Sequence, residues 1–162
     1  MASHSAKMGR EPRDSPPVLL SPGAQQLTSE QQEVLRGALA GHSVLFTGGA
    51  GSGKSFLLRQ ICSRLDPRYT FITAPTGIAA CNVGGVTIHH WAGIGGSAGR
   101  SLAEVTAHAA RKRGAQWRAA RTLVIDEISM LDGDLFDQLE AIARAVRGIA
   151  APFGGLQSVR WT

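Results

Sequence analysis

A parallel α/β sheet flanked by helices is the fold class this sequence predicts. Three observations predict it. From residue 27 onward, short apolar runs alternate with stretches of helical periodicity. A glycine-rich segment, Gly48-Gly49-Ala50-Gly51-Ser52-Gly53-Lys54-Ser55, follows one apolar run and opens a helical one. A second apolar run, Leu123-Val124-Ile125, ends in Asp126-Glu127. Strands separated by helices imply parallel pairing through crossovers.

The elements follow in order. Residues 1–26 read as a disordered leader, because four of the seven prolines fall there among scattered serines with no periodicity. Lys7, Arg10 and Arg13 suit a mitochondrial transit peptide, whereas Glu11, Asp14 and the prolines oppose the amphipathic helix it requires. Thr28 followed by Gln31 matches a capping box that opens a helix through about Leu39, with Gly41 as its stop. Ser43–Thr47 is a short strand. Lys54–Leu65 spaces Phe56, Leu57, Ile61 and Leu65 as a helix does. Tyr69–Thr73 is a second strand, ended by Pro75. Leu102–Arg113 reads as a helix with a basic end, and Thr122–Asp126 as a third strand. Leu131, Leu135, Leu139, Ile142 and Val146 mark one face of a long final helix. Asp134 near its start and Arg144 and Arg147 near its end suit the helix dipole.

Composition narrows the function. Hydrophobic residues at 43% of 162 supply a packed core, and no apolar stretch is long enough to cross a bilayer. Cys62 and Cys81 share no metal or redox spacing. The net charge of +5 is local. Arg100, Arg111, Lys112, Arg113, Arg118 and Arg121 face Glu104 alone within residues 100–121, and the remainder of the chain is balanced. Such clustering suits contact with a polyanion, although a solvated helix end is an equal reading of Arg111-Lys112-Arg113.

The glycine segment fits G-x-x-x-x-G-K-[ST] through Gly48, Gly53, Lys54 and Ser55. Glycines allow a tight turn that brings backbone N–H groups close to phosphate oxygens, and the helix after it adds its positive dipole end. Lys54 is expected to span the β- and γ-phosphates of ATP, and the Ser55 hydroxyl to ligate Mg²⁺. Ligands of an open parallel sheet sit beyond the carboxyl ends of its strands, which brings Asp126 toward this loop. Asp126 is then a second Mg²⁺ group, and Glu127 the base that orients and deprotonates the attacking water. Taken alone, the same pair could merely cap the following helix.

These motifs and their neighbours resemble the Pif-type (petite integration frequency) DNA helicases of superfamily one, class B, over about Leu27 to Gln157. Leu27-Thr28-Ser29-Glu30-Gln31 is similar to that family's glutamine motif, with Gln31 at the position that reads adenine; alone, Gln31 would be read as a capping side chain. Thr73-Ala74-Pro75-Thr76-Gly77-Ile78-Ala79-Ala80 resembles its motif for gripping single-stranded DNA. Gly85-Val86-Thr87-Ile88-His89-His90-Trp91-Ala92-Gly93 resembles the next DNA-contact motif. Val124-Ile125-Asp126-Glu127-Ile128-Ser129-Met130-Leu131-Asp132-Gly133 and Glu140–Arg147 continue the likeness. The resemblance implies a RecA-like P-loop NTPase domain that couples ATP hydrolysis to 5′-to-3′ movement on single-stranded DNA. It also implies ATP and Mg²⁺ as cofactors, and single-stranded DNA held by Pro75, Thr76, Gly77, His89 and Trp91. No membrane partner is implied, and a monomer is expected. Its setting would be the nucleus or mitochondrion, in DNA repair, recombination and telomere maintenance. Core packing remains an alternative for Trp91, and a surface or capping pair for His89-His90.

The likeness fades after Pro152-Phe153-Gly154-Gly155. Residues 27–157 are expected to be a partial first motor domain and residues 158–162 an unrelated tail. On that expectation the sensor strand with its Gly-Asp motif, the second motor domain and its arginine finger are missing. The sheet would then have three strands and a gap at its centre, between the loop-bearing and acid-bearing strands. A truncated module that binds ATP or DNA without motor activity is the alternative to a working helicase. A different P-loop ATPase or small kinase is a third reading, disfavoured by the two DNA-contact motifs.

Overall fold

The computed structural model describes residues 26–96 and 99–162. The leader expected over residues 1–26 therefore lies, except for Gln26, outside the described residues. Helix α1 (Ser29–Leu39) opens with the capping box expected of Thr28 and Gln31. Strand β1 (Val44–Phe46) leads into the glycine loop, and α2 (Lys54–Cys62) leads out of it. Strand β2 (Thr70–Ala74) precedes a six-residue helix, α3 (Gly77–Asn82). A two-residue strand, β3 (Val86–Thr87), runs directly into α4 (Ile88–Ala92). Helix α5 (Leu102–Ala119) extends six residues beyond the expected Arg113. Strand β4 (Thr122–Ile125) comes next, then α6 (Gly133–Arg147), capped by Asp132 and ended at Gly148 in a left-handed conformation. The chain finishes with β5 (Gln157–Trp161).

All five strands pair parallel in the order β1-β5-β4-β2-β3. This corrects two expectations. The sheet has five strands rather than three, and its centre is filled. Residues 157–161, four of which were read from sequence as part of an unrelated tail beginning at Ser158, lie between β1 and β4, with Val159 opposite both Val44 and Val124. The strand completes the ladder that an absent neighbour would have left open. Val159 and Trp161 join the core beneath α1 and α2, with Trp161 stacked on Phe46 at 5.9 Å.

The opposite face is covered by α4, α5 and α6. Its centre is an aromatic cluster in which Trp91 and Trp117 lie 4.4 Å apart and Phe71 lies 5.8 Å from Trp91. Arg147 clamps this layer, donating to the carbonyls of Trp117, Ala120 and Gly154. Those oxygens end α5 and line the turn before β5, so one guanidinium satisfies acceptors that the helix end leaves free.

Trp117→Ala is expected to lower unfolding free energy by about 3–5 kcal/mol, the usual cost of emptying a buried aromatic site. Ile78→Ala, at a side chain 79% exposed, should change it by less than about 0.5 kcal/mol. Urea denaturation followed by circular dichroism checks both.

Candidate functional site

The carboxyl ends of all five strands share one edge of the sheet, because all pairings are parallel. The glycine loop leaves that edge after Phe46, and Asp126 stands on it directly after Ile125. In register, Phe46 faces Trp161 on β5, and Ile125 faces Arg160. The two candidate phosphate-site motifs thus lie two strands apart, about 10 Å at ordinary strand spacing. Side chains bridge that span: Lys54, Ser55, Asp126 and Glu127 line one cavity of about 420 Å³, with Trp161 in its wall. The convergence expected from the sequence is present.

Gly53 sits at the start of α2 with φ of 84°, a left-handed backbone that favours glycine. Its conformation turns the loop so that the next residue, Lys54, begins the helix. The Lys54 ammonium donates to the carbonyls of Gly48 and Gly49 and lies folded across the loop. Gln31 is bound at both ends of its amide: Oε1 accepts from Thr28 N at 3.1 Å, and Nε2 donates to Ser52 O at 3.0 Å. The structure thus shows the capping role and adds a tie from α1 to the glycine loop. Gln31 also borders a smaller recess of about 230 Å³ with Val34, Phe46 and Lys54.

Asp126 is 7% exposed, and its backbone N–H donates to Thr73 O at 2.9 Å. Burial, and then the neighbouring Glu127, push its carboxyl pKa upward. Among the described residues neither carboxylate forms an ion pair. A buried acid beside a second acid, with no cation paired to either, is a place where bound positive charge gains most. A hydroxyl and a carboxylate are hard oxygen donors suited to Mg²⁺, which commonly takes few protein ligands and completes its shell with water and phosphates. The residues therefore fit the ion. Glu127 has φ of 48°, a strained backbone for a residue with a Cβ, concentrated where the strand turns out of the sheet.

A second group lies farther along the same edge. Ala74 on β2 pairs with Thr87 on β3. Two residues beyond each stand Thr76 and His89, both exposed. Thr76 caps α3 and Thr87 caps α4 through side-chain oxygens that accept backbone N–H groups at 3.2 Å. Pro75 is half-buried and Gly77 exposed beside them. Trp91 does not belong to this surface. It is 1% exposed and packs between Phe71 and Trp117, so the core reading replaces the expected DNA contact. Its backbone carbonyl accepts from Gln116 Nε2, and Ala92 O accepts from Trp117 Nε1, both at 3.1 Å. Trp91 thereby anchors α4 while His89 faces outward. Sequence reasoning missed Trp161; an isolated Trp beyond the last recognisable motif carries no pattern that would place it at the cavity.

A parallel sheet with a glycine phosphate loop on one strand tip and a paired acid on another defines a RecA-like P-loop nucleotide-binding domain. The family model described as PIF1-like helicase matches residues 26–160, reaching into β5. The chain belongs to that family. It is 53% identical over 135 residues to the ATP-dependent DNA helicase PIF1 of Homo sapiens, covering 83% of this chain and 21% of the relative. The crystal structure of Pif1 helicase from Candida albicans superposes with a TM-score of 0.78 at 43% identity, covering 84% of this chain and 32% of that one. Bacteroides Pif1, 32% identical, has been solved bound to single-stranded DNA and in complex with ADP-AlF4, with TM-scores of 0.67 and 0.69 over 84% of this chain and 32% of that one. The chain spans about a fifth of the length of the curated relatives it matches.

Lys54→Ala removes the cation nearest the loop. It is expected to weaken binding of a fluorescent ATP analogue about ten- to a hundredfold, the worth of one or two charge-assisted hydrogen bonds. Unchanged affinity in a titration would remove Lys54 from the site.

Proposed function

We propose that this chain is the nucleotide-binding part of an ATP-dependent DNA helicase that moves 5′ to 3′ along single-stranded DNA. The observation that carries the reading is the shared cavity, in which Lys54, Ser55, Asp126 and Glu127 meet in a chain of the PIF1-like helicase family. The ADP-AlF4 and single-stranded DNA complexes of Bacteroides Pif1 support the two ligand classes.

The loop of Gly48, Gly49, Ala50, Gly51, Ser52 and Gly53 offers backbone N–H groups and the start of α2 to the phosphates. Lys54 moves from its own loop carbonyls onto the β- and γ-phosphates. Ser55 and Asp126 hold Mg²⁺, which when bound neutralises charge building on the phosphate oxygens. Glu127 orients the attacking water and accepts its proton. Gln31, beside the smaller recess, exchanges its Ser52 bond for the edge of adenine. Pro75, Thr76, Gly77 and His89 contact the DNA backbone at the β2–β3 edge, where capped helix starts and exposed polar groups meet. Nuclear or mitochondrial work in repair, recombination or telomere maintenance belongs to this reading through the family resemblance alone.

A helicase stroke needs a second domain closing on ATP, and an arginine finger from elsewhere contributes about 10³–10⁵ in rate. Residues 1–162 by themselves are therefore expected to bind ATP, to hydrolyse it far below helicase rates, and to unwind nothing. A phosphate-release assay showing DNA-stimulated turnover at helicase rates would refute this. Glu127→Gln should keep ATP affinity within about twofold and abolish residual hydrolysis. Equal turnover in the variant and the parent defeats the assignment of Glu127 as base.

A further inference from the structure

The positive charge concentrated in residues 100–121 takes no part in the nucleotide cavity. Much of it sits on one side of α5. His108, Arg111 and Lys112 are three and four residues apart, the spacing that places side chains together on a helix face. Two shallow grooves run along that face and share His108. One, of about 300 Å³, includes Arg100 and Arg111. The other, of about 230 Å³, includes His89, Lys112 and Arg113. The grooves form one strip that begins at the β2–β3 edge and continues down α5.

Little within the fold neutralises this strip. The ion pairs among the described residues, Arg68–Asp66 and Arg144–Glu140, lie elsewhere. Among the described residues Glu104 is the one carboxylate lining the grooves, and its Oε2 is committed to the Ser101 N–H and hydroxyl, each at 2.8 Å. Arg113 approaches another basic side chain, with Nη2 3.0 Å from His90 Nε2. The neighbouring Arg100, Arg111 and Lys112 also help hold the pKa of His108 down, after burial. Among the described residues the grooves contain no large apolar side chain, only Ala107 and glycines beside the polar groups. They offer no seat for a membrane-inserting residue or for the aromatic anchor of a protein partner. A flexible phosphate backbone asks for what is present: exposed cations in a row with little demand on shape.

We propose that the α5 face bearing His108, Arg111 and Lys112 is a second phosphate track, which takes the backbone of single-stranded DNA as it leaves the β2–β3 edge at His89. The track rests on the reading that this edge contacts DNA. It extends the contact surface beyond the motifs legible in the sequence and gives the local excess of charge a ligand.

The test uses the whole 162-residue chain and a fluorescent oligothymidylate, with affinity measured by anisotropy across a salt series. Arg111 and Lys112 are both exposed, so Arg111→Ser/Lys112→Ser should fold normally. Each lost phosphate contact lowers the slope of log affinity against log salt by about 0.7 for single strands, so the double variant should lose about 1.4. Arg36→Ser/Arg64→Ser removes the same charge from exposed positions elsewhere and should leave the slope unchanged. Arg111→Lys/Lys112→Arg should retain it, because the contact is with charge. An unaltered slope in Arg111→Ser/Lys112→Ser overturns the track while leaving the edge reading intact. An equal loss in the Arg36/Arg64 control also overturns it, since net charge would then suffice. Failure of the unaltered chain to bind the oligonucleotide overturns the track and the edge reading together.

Discussion

Parallel hydrogen bonding of β5 between β1 and β4 is the constraint on which the structure depends. It holds the phosphate-loop strand and the acid-bearing strand in one sheet with their carboxyl ends on the same edge. Remove that strand and two rows of backbone donors and acceptors lose their partners in the interior, a cost no loop motif could offset. The cavity between Lys54 and Asp126 is a consequence of this pairing. The tip of β5 lines it, where Trp161 stacks on Phe46 and reaches the same space.

The two sides of the sheet serve different ends. On one side α1 and α2 press a core of aliphatic residues and the Phe46–Trp161 stack against β1, β4 and β5 and aim the glycine loop. On the other side the tryptophan pair ties α4 to α5. A five-residue helix has little stability of its own. Burying Trp91 and bonding the carbonyls of Trp91 and Ala92 to α5 hold it in place, and they fix His89 at the edge. The same α5 that supports the edge from beneath carries the basic groove residues His108, Lys112 and Arg113 beside α4.

Much of the fold was legible because its signals are local. The Thr28–Gln31 capping box, the glycine loop and the long apolar stripe of α6 each state a backbone preference within a few residues, and each was found where expected. Strand β5 was not legible. A central parallel strand usually reads as a continuous apolar run, yet Gln157-Ser158-Val159-Arg160-Trp161 holds three polar residues and only two apolar ones. Ser158 is nonetheless 3% exposed, and the Arg160 guanidinium lies over the Phe136 ring at 5.4 Å. Long-range neighbours, not the strand's own pattern, make these residues acceptable in the sheet. Strand β3, with two residues, is too short to show any period.

By itself the sequence determined the chemistry at hand: a loop able to wrap phosphate, a hydroxyl and two carboxylates of the right kind, and a segment holding the excess positive charge. Those are properties of residue type and short spacing. Tertiary structure alone decided that the loop and the acids share a cavity, that Trp91 is core rather than surface, and that the sheet's centre is occupied. Each of these depends on contacts between residues far apart in the chain, whose geometry no local spacing encodes.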